Sequence, residues 1–203
     1  MTTDLGFIHK FVPGSSDRTL LLLHGTGGNE HDLIPLGREL DPTAALLSPR
    51  GKVLENGHAR FFRRLAEGVF DVEDLKRRTD ELAEFVRAAA ERYQLALEKI
   101  VALGYSNGAN IAGSLLLRRP GILRTAVLLR AMVPFRPDVL PDLSAVRVWI
   151  GGGKQDVIIP SGETKRLADL LQDAGADVTA HFVDAGHGLT NAELVLVKRW
   201  LDR

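Results

Sequence analysis

The chain has 203 residues, 26 basic and 26 acidic side chains and no cysteine. The length suits one domain with a sizeable core, and the cancelled charge gives no pull toward nucleic acid or an anionic membrane surface. The absence of cysteine excludes disulfides, thiolate metal sites and a cysteine nucleophile, and it fits a reducing cytoplasm.

The first residues lack a basic segment followed by an apolar run, so no secretory leader is expected. The longest apolar runs are too short to cross a membrane. Residues 7–12 read as a short strand, followed by a turn at Pro13-Gly14-Ser15-Ser16-Asp17. Residues 19–23 are an unbroken apolar run, as in a strand buried on both faces of a parallel sheet. That run stops at His24-Gly25-Thr26-Gly27-Gly28. Helical spacing follows at Leu33, Leu36, Gly37 and Leu40, and residues 44–47 form a second buried strand ending at Ser48-Pro49-Arg50-Gly51.

Residues 52–70 are a long connection with a turn at Asn56-Gly57; Phe61, Phe62, Leu65 and Phe70 are its expected buried anchors. A connection of this length in a compact domain is usually functional or packed over a site. Asp71 reads as an N-cap and Asp74 as the acid of a capping box. Leu75, Thr79, Leu82, Val86, Ala89 and Tyr93 then recur at three or four residues, predicting an amphipathic helix of about six turns.

Next comes an apolar strand, then Gly104-Tyr105-Ser106-Asn107-Gly108, then a helix with Leu115-Leu116-Leu117 in its core and Arg118-Arg119 at its solvated end. This is the context of a Gly-x-Ser-x-Gly nucleophile elbow. A serine at so sharp a turn sits in a strained conformation that projects its hydroxyl above the sheet, and side chains two residues away on either side would collide. Further strands are expected at 125–129, 146–150 and 178–183, with helices at about 162–174 and from Leu194 to the C-terminus. Phe135 and Trp149 read as structural residues.

Alternating strands and helices predict an α/β fold with a mostly parallel sheet and helices on both faces. Ligands then belong at the carboxyl ends of the strands. Four polar or glycine-rich motifs end strands: 24–28, 104–108, 151–156 and 184–188.

A serine hydroxyl needs a base, and the base needs an orienting carboxylate. In α/β-hydrolases the chain order is serine, acid, histidine. Only His181 and His187 follow Ser106. His181 lies inside a predicted strand, whereas His187 lies in a Gly-His-Gly loop just past it, so His187 is chosen. The acids between serine and histidine include Asp138, Asp142, Asp156, Glu163, Asp169, Asp173, Asp177 and Asp184; Asp156 alone follows a buried strand in a glycine-rich loop. The oxyanion donors are expected from the backbone of Asn107 and Thr26, with Gly27 as fallback. Phe61, Phe62, Met132 and Ile158 are expected as apolar substrate walls, although core positions suit them equally by type. His9 and His31 read as surface residues, and His58 as solvated or pocket-lining. No metal-ligand spacing and no cofactor motif occurs.

Taken together, His24-Gly25-Thr26-Gly27-Gly28, Pro49-Arg50-Gly51, Gly104 to Gly108, Asp156 and His187 resemble the small, cap-less carboxylesterase/phospholipase group of α/β-hydrolases. That group includes acyl-protein thioesterase-like enzymes and shades into dienelactone-hydrolase-like proteins. The stretches 55–71 and 104–112 look like a bacterial subgroup found alongside hydroquinone-cleaving dioxygenases. The resemblance covers nearly the whole chain. It implies one α/β-hydrolase domain over residues 1–203, a triad of Ser106, Asp156 and His187, and oxyanion donors Thr26 and Asn107.

Three features restrict it. Dienelactone hydrolases use a cysteine nucleophile, which this chain lacks. Thr26 stands where a hydrophobic residue is common, which argues against a long acyl tunnel. Only about 15 residues separate the strands at 125–129 and 146–150, leaving no room for a cap.

The expected activity is hydrolysis of small to medium carboxylic esters through an acyl-enzyme, without cofactor, in the cytoplasm. Thioester hydrolysis, or cleavage of aromatic esters or lactones in quinone catabolism, is the enzymatic alternative. A catalytically silent binding protein of the same fold is the alternative from another class. The expected partner is a small-molecule ester, and a chain of zero net charge with an open rim is compatible with a homodimer.

Overall fold

A computed structural model describes residues 5–203. In chain order the elements are β1 (His9–Val12), β2 (Thr19–Leu23), α1 (Ile34–Leu40), β3 (Ala45–Pro49), β4 (Val53–Glu55), β5 (His58–Arg60), β6 (Arg64–Ala66) and β7 (Val69–Phe70). There follow α2 (Val72–Tyr93), β8 (Ile100–Tyr105), α3 (Asn107–Arg118), β9 (Thr125–Leu129), β10 (Arg147–Gly153), α4 (Ser161–Asp173), β11 (Asp177–Val183) and α5 (Asn191–Leu201).

Seven strands form the central sheet in the order β1-β3-β2-β8-β9-β10-β11. Only β1 runs antiparallel; every other pair in this sheet is parallel. The strand period of two explains the layers. In β2, Leu21 and Leu23 enter a core shared with α2, α3 and α4, while Leu20 and Leu22 enter a second core shared with α1 and α5. Trp149 falls in that second core, whereas its neighbours Val148 and Ile150 fall in the first. Helices therefore cover both faces. Among the described residues no helix is long and apolar enough to cross a membrane.

From β2 the chain steps outward to β3, then returns to the other side of β2 as β8. The order reverses between β2 and β8, which is where a ligand crevice forms in open α/β sheets. The loop 24–28 and the serine turn flank this point.

Several boundaries differ from the sequence reading. The strand expected at 146–150 continues to Gly153, because all three glycines stay paired with β11. A side chain at Gly153 would sit 2.3 Å from the Gly186 carbonyl oxygen, so the bare backbone is what lets the loop 184–188 close over the strand. The connection 52–70 folds as two antiparallel hairpins, β4-β5 and β6-β7. Asp71 does cap α2, accepting from the Asp74 N–H at 3.1 Å. Asp74 does not complete a capping box; its carboxylate accepts from the Arg63 N–H at 2.8 Å and so anchors the second hairpin. Arg118 and Arg119 are not simply solvated: both bond Asp80 and tie α3 to α2.

Candidate active site

The turn after β8 has the conformation its sequence requires. Ser106 has φ 52° and ψ −113°, in the left-handed half of backbone space that a side chain rarely enters. A Cβ on Gly104 would lie 2.6 Å from Ala109 Cα, and one on Gly108 only 1.9 Å from the Leu23 carbonyl oxygen. No other residue fits either place. Asn107 is the first residue of α3, so its N–H has no intrahelical acceptor and sits at the positive helix end.

Ser106, Asp156 and His187 come together at the carboxyl ends of β8, β10 and β11. His187 Nε2 is 3.1 Å from Ser106 Oγ, and His187 Nδ1 is 2.8 Å from Asp156 Oδ2. Asp156 is fully enclosed, and its second oxygen accepts from the Ile158 and Ile159 N–H groups at 2.9 Å each. A carboxylate fixed by two backbone donors orients the imidazole so that Nδ1–H points to the acid and Nε2 is free to accept from the serine. The rejected alternatives lie elsewhere. His181 sits on edge strand β11 beside Trp149. Asp184 is exposed and pairs with Lys154.

A supporting residue that no sequence motif marks is Arg130. Arg130 follows β9 with φ 58°, and it is fully buried. Its guanidinium pairs with the equally buried Glu193 at 2.7 and 2.9 Å. Its remaining N–H groups donate to the Gly186 and Gly188 carbonyls, at 3.2 and 2.7 Å. These carbonyls flank His187, so Arg130 holds its loop from both sides. Tyr105 adds a third tether, its hydroxyl donating to the His187 carbonyl at 3.1 Å. Burial raises the Tyr105 phenol above its usual range, which keeps it a neutral donor. A signal existed: a lone charge inside the apolar run Val127-Leu128-Leu129-Arg130-Ala131-Met132 demands a buried partner.

On the opposite side, His24 joins two of the sequence motifs. Its Nδ1 lies 2.6 Å from the Gly25 carbonyl, and its Nε2 accepts from the Gly51 N–H at 3.0 Å. Burial pushes its imidazole below the ordinary value, so it stays neutral as this bond requires. Arg50, between them in the motif, holds the Glu30 carboxyl at about 2 through paired hydrogen bonds. The Gly27 N–H is engaged by the Ala59 carbonyl at 2.9 Å, whereas the Thr26 N–H carries no backbone bond among the described residues.

The cavity over Ser106 encloses about 320 Å³. Met132 and Ile158 line it, but Phe61 and Phe62 do not. Those two rings are buried, Phe61 against His24 and Phe62 against Phe70. They hold the loop down instead of facing substrate. Phe70 and Ile159 supply apolar wall in their place. Leu65, expected inside, is 70% exposed on the outer side of its hairpin. His9 is not a plain surface residue, since its ring bonds Tyr93 at 2.8 Å. His31 and His58 are exposed.

A mostly parallel sheet with a strained serine turn at its point of strand reversal, reached by a histidine from the last strand, is the α/β-hydrolase arrangement without a cap. Within that class, the chain belongs to the phospholipase/carboxylesterase family, whose model matches residues 13–203. It is 50% identical over 192 residues to the hydrolase MhqD of Bacillus subtilis (strain 168), spanning 95% of this chain and 96% of that protein. The crystal structure of the Bacillus cereus carboxylesterase is similar at a TM-score of 0.96 and 50% identity, covering 98% of this chain and 95% of that one. A carboxylesterase from Mesorhizobium loti is similar at a TM-score of 0.93 and 35% identity, covering 100% and 97% of the two chains.

Proposed function

We propose that the protein is a serine esterase acting on small to medium carboxylic esters. The observation that carries this is the unbroken file from Asp156 through His187 to Ser106, with contacts of 2.8 and 3.1 Å. Ser106 Oγ attacks the ester carbonyl while His187 Nε2 takes its proton. The resulting oxyanion accepts from the Thr26 and Asn107 N–H groups, each donor lowering the barrier by about 3 kcal/mol. Collapse breaks the bond to the leaving alcohol, which receives the proton from His187. Water, deprotonated by the same nitrogen, then attacks the acyl-enzyme; its collapse releases the acid and returns the proton to Ser106. Asp156 keeps the imidazole in one tautomer and stabilises the imidazolium.

A cavity of about 320 Å³ lies at the small end of ligand pockets and favours short acyl groups over long ones. The close relatives described as carboxylesterases support the same reading. We further place the enzyme in the cytoplasm, acting as one domain over residues 1–203; the cysteine-free composition supports this location. Size-exclusion chromatography distinguishes a monomer from the homodimer that the balanced charge permits.

The test is turnover of p-nitrophenyl acetate together with labelling by a fluorophosphonate probe. Wild type should react in both assays. Ser106→Ala should lose labelling and drop about 10⁵- to 10⁶-fold in kcat, with an unchanged circular dichroism spectrum. A panel of acyl-thioesters in the same assay decides the thioesterase alternative. Unlabelled, inactive wild type would establish a binding protein of this fold.

A further inference from the structure

Beside Ser106 the cavity wall carries two guanidinium groups, Arg60 and Arg64, contributed by the two hairpins. Arg60 is 97% buried by its 3% exposure, an unusual setting for a residue that is always charged. Its Nη1 donates to Thr26 Oγ1 at 2.7 Å and its Nε to the Phe62 carbonyl at 3.2 Å. Its Nη2 has no hydrogen-bond acceptor among the described residues. Arg64 uses only Nε, on Glu55 Oε1 at 2.7 Å, which leaves its Nη1 and Nη2 uncommitted.

Glu55 serves both arginines, the second through a contact of 3.3 Å between Oε2 and Arg60 Nε. Two cations thus share this one carboxylate. Burial and the neighbouring Arg64 both disfavour the charged form of Arg60. Among the described residues the one acid of the lining is Glu67, exposed at the tip of the second hairpin. Apart from that rim residue, the roof offers donors and positive charge where a neutral ester would need neither.

We propose that the roof recognises a carboxylate on the substrate, so that the preferred esters are half-esters of short dicarboxylic acids. This rests on the esterase reading above. Guanidinium groups with free N–H pairs match a carboxylate in bidentate geometry. The charged end belongs to the acyl half. Arg60 is bonded to the side chain of Thr26, the residue assigned to the carbonyl oxygen, whereas the leaving alcohol must depart beside His187 on the facing side. The cavity volume accommodates an acid of this size.

The experiment compares kcat/KM for monomethyl succinate and methyl butyrate, followed by proton release, in wild type, Arg64→Gln and Glu67→Gln. Arg64 and Glu67 are chosen because both reach solvent, so neither change disturbs the core. Wild type should favour the charged ester about tenfold or more. The ratio should fall toward one in Arg64→Gln and rise in Glu67→Gln, where a competing negative charge is removed. O-acetylglycolate, with its carboxylate in the alcohol half, should show no Arg64-dependent preference. A wild-type ratio of one or less, or a ratio unmoved by Arg64→Gln, overturns the proposal. If p-nitrophenyl acetate is still hydrolysed through Ser106 in that case, the esterase reading stands and only the substrate class falls. If no ester is turned over, both fall.

Discussion

The two flanks of the cavity are built on opposite principles. The histidine side rests on a fully buried ion pair, Arg130 with Glu193, on a sealed carboxylate, and on the rigid ends of two paired strands. The roof side is two short hairpins outside the central sheet, whose outward residues Leu54, Leu65 and Val69 are more than half exposed. It is held down by a small set of inward residues, Ala59, Arg60, Phe61, Phe62 and Phe70, and by polar ties such as the Phe61 N–H on Asn107 Oδ1 at 2.8 Å. Chemistry requires one geometry and therefore a stiff support. Selection among substrates tolerates change, and the hairpins can vary in sequence without disturbing the sheet.

Substitutions can break this contrast. The largest effect is expected on the stiff flank. Asp156→Asn preserves shape but favours the wrong tautomer of His187, and kcat should fall about 10⁴-fold. A steady-state assay at neutral pH measures it, and near-normal turnover would show that Asp184 or another acid orients the imidazole. Next comes Glu193→Gln. It leaves the Arg130 charge buried without its counter-ion, which should cost about 3–5 kcal/mol of stability. Urea titration reads this directly; an unchanged midpoint would mean that the Gly186 and Gly188 carbonyls alone suffice.

A smaller effect concerns His24, which ties the loop 24–28 to Gly51. Burial lowers the pKa of His24 in the folded protein from its ordinary 6.5. Below that pH the unfolded chain binds a proton that the native state resists. Stability should decline as pH falls through 6.5 and level off below the depressed folded value. In His24→Asn that part of the pH dependence should vanish, which unfolding midpoints across the pH range would reveal. The smallest effect belongs to the roof: Leu65→Ser at an exposed site should change stability by less than about 0.5 kcal/mol. A cooperative loss of folding there would contradict the loose character assigned to this flank.

The same contrast explains what could be read from the amino-acid order. The serine turn was legible because its demand is local and steric: at Gly104 and Gly108 any Cβ would collide with backbone. That His187 and Asp156 lie in file with Ser106 could be anticipated because chain order and strand ends limit the choices. In the roof, four aromatic or aliphatic residues over a short stretch carry no period, so Phe61 and Phe62 could be wall or anchor, and Leu65 could face either way. The turn at Asn56-Gly57 was visible there, and both residues do take positive φ, at 52° and 82°. Asp74 is ambiguous in sequence because a capping box and a distant backbone donor make the same request of a carboxylate. Arg130 needed a partner 63 positions away, which no local pattern announces.

The left-handed turn at Ser106 has an evolutionary corollary. Its φ of 52° is one that glycine adopts without penalty, so the serine proposed as nucleophile also loads the native state with conformational strain. A selection on heat tolerance alone, blind to turnover, should therefore drift toward glycine at this position and yield a sturdier but silent relative.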